Sequence, residues 1–562
     1  MEKTMKRIAL LILACISVLA AERRLSLDAY RDKMEGGWLG QIIGVTWGAP
    51  TEFKWNSVII PEDKVPKWTH DMINHGFGQD DLYVEMTFLR TLEQYGLDVD
   101  IRQAGIDFAN SRYSLWCANK AGRDNLRAGI APPDSSHPKF NSCPNDIDYQ
   151  IEADYAGLIA PGLPQAAIDL GEKFGRLMNY GDGVYGGQFV GAMYCEAFFS
   201  DDIGGVIQAG LRAIPKESQY AEMVRDMVAW HREKPDDWQF AWHKAVEKYR
   251  KDKEYQKASN GNIDVKINGA MILLGLLYGN KDMEATTVIS MRGGFDSDCN
   301  PSNAAGVLGT MLGKSKLESK YVQALKRDAK FAYTAYSVND LLKVSELLMR
   351  QVVVRYGGRI EGDTLVIPQR KPKPSKLELS WAPGPIANSL FTEEEMNQIE
   401  FKLHPAHKAD VLAPKDPTAK VQAVLDVLFP GWKTTENAKD MNPGYRAEHY
   451  GRKHILMTHP KNRTEGAALW KNITVPETGA RLHVSVAPYG KQGDFTLEIR
   501  IDGKQIQKQK IQEQGDKIWF DIIVDLNPYA GKTIKLELDN QPDNWYCEAA
   551  YWQRLEVNVD KE

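Results

Sequence analysis

The sequence predicts a multidomain chain, an all-α helical bundle followed by an antiparallel, jelly-roll-like β-sandwich, and three observations predict it. Apolar residues recur at helical spacing from about Leu25 to Val354, interrupted by glycine-rich turns. A basic, proline-rich stretch, Arg370-Lys371-Pro372-Lys373-Pro374, then breaks the pattern. Beyond it, apolar and polar residues alternate with period two. The 562 residues, 43% hydrophobic and 26% charged, are those of a folded protein with a large core, not of a disordered chain.

Taken in order, Lys3, Lys6 and Arg7 precede an apolar run from Ile8 to Ala21 that ends in small residues. This is the layout of a secretory signal over residues 1–21, and the run is too short to span a bilayer. Val18-Leu19-Ala20 offers a cleavage site, while Cys15 after Ile12-Leu13-Ala14 offers a lipoprotein alternative. The protein is therefore expected to be exported, whether periplasmic, at the cell surface or secreted.

Residues 25–360 read as the helical domain. Leu82, Met86 and Leu89 share one stripe after Asp80-Asp81, Ala270–Tyr278 is apolar on every side, and Ala304–Leu312 is rich in small residues. Residues 361–429 read as a linker and connecting segment, extended around the prolines, with a strand and a short helix expected between 375 and 430. From 430 to 562 three apolar series, Leu482 to Val486, Phe495 to Ile501 and Ile534 to Leu538, alternate with polar residues, and Asp502-Gly503 supplies a hairpin turn.

Lys plus Arg total 70 against 75 Asp plus Glu, so no broad positive field exists to recruit a nucleic acid. Five cysteines follow the leader (Cys117, Cys143, Cys195, Cys299 and Cys547), without the paired spacing of a disulfide framework or a zinc ribbon. His70 and His75 lack a zinc-motif spacing.

Chemistry concentrates in three stretches of the helical domain. A glycine-rich run, Gly40 to Gly48, leads to Glu52; Gln79-Asp80-Asp81 opens a helix; and Asp296-Ser297-Asp298-Cys299 precedes the small-residue helix. One aspartate caps a helix, so two near-adjacent carboxylates at each of two helix starts exceed what capping uses. Were those starts to converge, a hard divalent cation would neutralise the repulsion. Oxygen donors of this kind suit Mg²⁺ or Mn²⁺, as one ion or two.

The order of these motifs resembles the ADP-ribosylglycohydrolase family over roughly residues 30–350. The resemblance implies a two-metal site at one end of an all-α fold and hydrolysis of a glycosidic bond at a ribose-type anomeric carbon. By motif, it implies metal ligands at Gln79, Asp80, Asp81, Asp296, Asp298 and Cys299, an acid or base at Glu52, and catalytic participation of Asp80 and Asp296. Val45, Gln79 and Cys299 depart from the family's usual Asp, Thr and Thr.

The segment from Cys143 to Tyr155 places Asp146, Asp148, Glu152 and Asp154 within nine residues. Facing a cleft, they would repel a diphosphate and accept hydrogen bonds from neutral sugar hydroxyls. With Asn179 and Asp182 in the glycine turn that follows, they form the expected substrate-binding set. Trp470, Trp519, Trp545 and Trp552, together with the Asp525–Lys532 turn, give the sandwich a carbohydrate-binding reading beside the ordinary one of core packing. The expected function is divalent-metal-dependent hydrolysis of a small-molecule or polysaccharide glycoside. The alternatives are an ADP-ribosyl hydrolase acting on protein or nucleotide, and a non-catalytic cell-surface polysaccharide-binding protein. The oligomeric state stays open at this level.

Overall fold

The computed structural model describes residues 21–559, so residues 1–20 of the predicted signal, Cys15 among them, lie outside the described residues. Two compact units divide between Glu400 and Phe401.

The first unit is helical. Strand β1 (Glu22–Ser26) leads into α1 (Leu27–Gly48), whose start is capped by the Ser26 hydroxyl accepting from the Ala29 N–H at 3.1 Å. The elements that matter for the site are α2 (Asp80–Tyr95), α3 (Cys117–Ala128), α4 (Asp182–Ala197), α5 (Val265–Tyr278) and α6 (Cys299–Leu312). Helix α7 (Val338–Arg355) follows, opened by a Ser337/Asp340 capping box. Helices α4, α5 and α6 are buried on all faces, which explains their near-continuous apolar and small-residue sequences. A small antiparallel sheet that the periodicity does not reveal, with strand order β1-β3-β2, is completed by β2 (Arg359–Glu361) and β3 (Thr364–Pro368).

The packing of α1 against α6 sets the geometry of everything that follows. Gly36, Gly40, Gly44 and Gly48 recur every four residues, so they form one ridge of α1. A Cβ built on each would lie 2.4 Å from Gly309 O, 2.2 Å from Ala305 O, 2.2 Å from Pro301 O and 2.1 Å from Ser297 O, respectively. The helices are therefore antiparallel and in backbone contact along their length, and the end of α1 abuts the beginning of α6. Gly44→Ala is expected to destabilise the fold by about 1–3 kcal/mol through overpacking, seen as a lower urea midpoint at unchanged slope. Gly78→Ala, with nothing within 4 Å of the added carbon, should leave the midpoint unmoved.

The second unit begins with helices Pro405–Leu412 and Pro417–Leu428, each with proline in its first turn. With Glu393–Asn397 of the first unit, that makes three short helices between 375 and 430, where a strand and one helix are expected from the sequence. Proline at the first helical position and a capping His404 or Asp416 before it decide the matter locally.

Ten strands follow: β4 (Lys433–Thr434), β5 (Gly444–His449), β6 (Arg452–Thr458), β7 (Ala467–Thr474), β8 (Ala480–Ala487), β9 (Asp494–Ile501), β10 (Lys504–Gln512), β11 (Phe520–Asp525), β12 (Thr533–Gln541) and β13 (Ala550–Val559). They form two five-stranded antiparallel sheets, β10-β9-β12-β7-β4 and β11-β8-β13-β6-β5. Leu497, Ile499 and Ile501 of β9 and Leu482, Val484 and Val486 of β8 are buried in one core with Trp432 and Trp552. Asp502 and Gly503 turn the β9-β10 hairpin with φ of 49° and 78°, the left-handed pair such a two-residue turn requires.

Among the described residues no helix is long and apolar enough to cross a membrane.

Candidate active site

Because α1 and α6 run antiparallel in close contact, the chain leaving α1 meets the chain entering α6. Backbone bonds fasten the two: the Phe53 N–H donates to Phe295 O at 3.1 Å, and the Phe295 N–H donates to Trp55 O at 3.0 Å. Both phenylalanines have positive φ, 50° and 62°, a strained conformation for such side chains that these bonds hold in place. The Thr51 and Ser297 hydroxyls share a 2.7 Å hydrogen bond. Glu52 is thereby held near Asp298.

Helix α2 brings the other acidic pair. Gln79 occupies its N-cap without a side-chain capping bond, so its side chain remains available. Asp80, half-buried, opens the helix, where its own N–H and that of Asp81 favour its ionised form against the effect of burial. Asp81 is fully buried, and neither of its carboxylate oxygens has a hydrogen-bond partner. Asp296, also buried, leaves Oδ1 without a partner. Asp298 sits at the N-cap of α6 without a side-chain capping bond, its carboxylate left for the cluster. Two helix N-termini thus point their positive ends at one acidic cluster.

The titration behaviour reports how near these groups are to one another. Burial, then Asp80 and Asp298, pushes Asp81 well above the ordinary carboxylate range. Burial followed by Asp298 does the same to Asp296. Burial raises Asp298 to about 6, with Asp80 adding to the rise, and burial also raises Asp80. Glu52 reaches solvent at the lip, yet it loses enough hydration there, with Asp298 and Asp80 nearby, to rise to about 7. Among the described residues no lysine or arginine forms an ion pair with any of the five carboxylates.

Asp296, Asp298 and Cys299 each offer one atom within 4.8 Å of the others, a spacing that suits a shared ion. The Cys299 S–H donates toward Asp298 Oδ1 at 3.7 Å, and burial beside Asp296 and Asp298 keeps this thiol protonated. The donor set is consequently dominated by carboxylate oxygens. Buried oxygens without partners and unneutralised mutual repulsion are what a hard divalent cation would satisfy, so the residues fit Mg²⁺ or Mn²⁺.

The expected substrate-binding residues divide into two groups. Asp146 caps α3, accepting from the Ala118 N–H at 2.6 Å and from Asn179 Nδ2 at 3.1 Å, and burial raises it to about 8. Asn179 spends its other atom on the Tyr149 N–H. Asp154 accepts from the Tyr194 hydroxyl and from Asn303 Nδ2, and burial raises it to about 7. Asp182 accepts from the Tyr220 N–H, with burial raising it to about 6. The polar atoms of these four are engaged within the fold. Asp148 and Glu152 are engaged through one oxygen each, Asp148 Oδ2 accepting from the Asn119 N–H and Glu152 Oε1 from Asn119 Nδ2, but both also feel Asp80, Asp148 is half-buried, and Glu152 Oε2 has no partner. An aromatic wall of Tyr83, Tyr113 and exposed Tyr333 stands beside Asp80, with Tyr83 4.9 Å from Tyr113 and 5.2 Å from Tyr333 between ring centroids.

Sequence reasoning misses the groups that support the cluster from behind. Asn268 Oδ1 accepts from the Asp296 N–H at 3.2 Å and from Asn300 Nδ2 at 2.9 Å, fixing the acidic turn. Glu85, fully buried one turn after Asp81, accepts from Gln41 Nε2 at 2.7 Å and the Tyr155 N–H at 2.9 Å. For Asn268 the available signal was a polar residue in a helix otherwise almost wholly apolar; Glu85 sits in an amphipathic helix and carried no such signal. His70 and His75 are exposed, and the His70 ring bonds Lys320 O rather than the site.

In the sandwich Trp552 is buried and donates to the Thr458 hydroxyl at 2.9 Å. Trp470 and Trp519 are half-buried, each with a cation over its ring, Lys535 at 5.1 Å and Arg452 at 4.6 Å. Trp545 packs edge-on to His459.

Compared with known proteins, the sequence profile described as ADP-ribosylglycohydrolase matches residues 26–353, more than half of the chain. No curated protein matches the sequence. A solved structure described as an ADP-ribosylglycohydrolase-related protein complex is 13% identical, with 58% of this chain and 99% of that chain covered at a TM-score of 0.36. The CBM22-1 xylan-binding domain of Xyn10C from Paenibacillus barcinonensis is 15% identical, covering 24% of this chain and 89% of that one at a TM-score of 0.19. TmCBM61, solved with β-1,4-galactotriose, is 7% identical over 24% of this chain and 94% of that one, again at 0.19.

Proposed function

This chain belongs to the ADP-ribosylglycohydrolase family, and from that premise we propose that it is an exported, divalent-metal-dependent hydrolase of a neutral glycoside, with a furanoside the favoured substrate. The observation that carries the reading is the convergence of Glu52, Asp80, Asp81, Asp296 and Asp298 with buried oxygens lacking partners. Asp80, Asp81, Asp296 and Asp298 would hold the ion or ions, with the Gln79 carbonyl and Cys299 at the edge. When bound, Mg²⁺ or Mn²⁺ supplies charge neutralisation and polarises a coordinated hydroxyl or water oxygen.

The remaining work falls to side chains. Glu52, with its carboxyl raised to about 7, is poised near neutral pH to take a proton from the attacking water or give one to the leaving oxygen. Asp148 and Glu152 would accept hydrogen bonds from sugar hydroxyls, and Tyr333 would offer its exposed face to the apolar side of a sugar ring. The same concentration of carboxylate disfavours a diphosphate, which is the argument for a neutral glycoside over an ADP-ribosyl substrate. For the sandwich we propose a carbohydrate-binding role, served by the exposed Tyr450, Tyr489 and Tyr546 rather than by the covered tryptophans.

The test is a panel of nitrophenyl glycosides and ADP-ribosyl compounds, each with and without chelator. Turnover of a neutral glycoside, lost on chelation and restored by Mg²⁺ or Mn²⁺, is expected. Hydrolysis confined to ADP-ribosyl compounds would overturn the substrate class. Sugar binding without turnover and without cation dependence would overturn the enzyme.

A further inference from the structure

Apart from the acidic cluster, one other group of potential ligand side chains comes together among the described residues: one atom each from Cys117, Cys143 and Asp146 lies within 4.8 Å of the others. Nothing in the spacing of the two cysteines along the sequence announces this. The fold creates it by wrapping the segment 141–146 around the start of α3. On one side of Cys143, Asn141 Nδ2 donates to Ala118 O at 3.1 Å; on the other, the Ala118 N–H donates to Asp146 Oδ2 at 2.6 Å. Ala118 is the neighbour of Cys117, so both bonds draw the two cysteines together. Cys117 is itself held at φ 37°, in the left-handed region that a side chain rarely adopts, and exposed Trp116 precedes it.

We propose that Cys117 and Cys143 are a redox pair that closes to a disulfide, clamping the segment that carries Asp148 and Glu152 onto the start of α3. Both thiols are half-buried, open enough for a small oxidant. Asp146 is a poor third ligand for a metal, because its two oxygens already accept from the N–H groups of Ala118 and Asp148 and from Asn179. Oxidation follows thiol–disulfide exchange. One cysteine thiolate attacks the disulfide of an oxidant such as oxidised glutathione and releases one glutathione thiolate, leaving a mixed disulfide. The second thiolate then attacks the protein sulfur of that mixed disulfide and releases the other glutathione. Two protons are lost from the protein and the oxidant is reduced by two electrons. This chemistry is independent of the proposed hydrolase activity, since neither cysteine belongs to the acidic cluster.

The experiment uses the full chain, incubated with oxidised or reduced glutathione, alkylated, digested without reduction and mapped by mass spectrometry. A peptide joining Cys117 to Cys143, two hydrogens lighter than the sum of its parts, is expected in the oxidised sample alone. With it should come an apparent Tm a few degrees above that of the reduced sample, a difference lost in Cys143→Ser. Complete alkylation of both residues after oxidation, glutathione adducts without a cross-link, or a cross-link through Cys547 would each overturn the proposal. So would stoichiometric Zn²⁺ that protects both thiols from alkylation, since that result assigns the pair to a metal.

Discussion

Asp296→Asn is expected to abolish both turnover and the stabilisation of the protein by Mg²⁺ or Mn²⁺, while raising the melting temperature of the cation-free protein by a few degrees. The two effects have one cause. Asp296 is buried, leaves one oxygen without a partner, and lies within the repulsion of Asp298 and Asp81. Asparagine keeps the shape and removes the charge. Without a cation, that relieves repulsion and gives Asp298 a permanent amide donor; with one, it deletes a ligand. Even outer partners of metal ligands change affinity by roughly 10–100-fold, so loss of a direct ligand should exceed that range. Glu52→Gln separates the roles: cation stabilisation should persist, while turnover falls on the order of 10²–10⁴-fold, the contribution usual for a proton-transfer group. Calorimetric titration of cations into both variants, beside turnover and thermal melts, makes the comparison. Wild-type turnover in both variants would remove the acidic cluster from the chemistry.

The acidic motifs were legible because they carry more charge than helix caps use, and the sandwich because a sheet buried on one face writes its burial with period two. Residues Gly36 to Gly48 show the same legibility at the level of packing: a glycine every four positions announces a close helix partner, although not which one. What the sequence hides is the partner of each polar group. Asp146 and Asp148 look alike in the chain and both accept from first-turn N–H groups of α3, Ala118 and Asn119, yet only Asp148 also lies within the field of Asp80, a difference set by the path of the loop and not by the sequence. Asn268 and Glu85 are polar letters at buried positions of their helices, and their service to Asp296 and to the segment around Tyr155 depends on contacts across 28 and 70 positions. The three-stranded sheet escaped for a different reason, since strands of five, three and five residues are too short to show a period.

Stabilisation by the cation should also depend steeply on pH, small near pH 5 and large near pH 8. In the unfolded chain the carboxylates titrate near 4. In the fold Asp298 rises to about 6, Glu52 to about 7, and Asp81 and Asp296 well above their ordinary range. The folded state therefore binds more protons than the unfolded one between these limits, and the stability this confers is complete below pH 4 and is lost as pH rises through the folded values. A cation needs the ionised forms, so protons compete with it over the same window. The cation-free protein should lose melting temperature from about pH 5 to pH 8 while the shift produced by saturating Mg²⁺ or Mn²⁺ grows. Asp146 and Asp154, raised to about 8 and about 7 by burial, add to the first trend without touching the second, because their oxygens already have partners in the fold. The difference between melts with and without cation, taken at each pH, isolates the cluster from them. Proton release on binding, read by titration in buffers of different ionisation enthalpy, should be greatest near pH 6–7 and be reduced in Glu52→Gln if Glu52 is one of the groups the ion deprotonates. A thermal shift of equal size at pH 5 and pH 8 would mean that these carboxylates are not the cation's ligands.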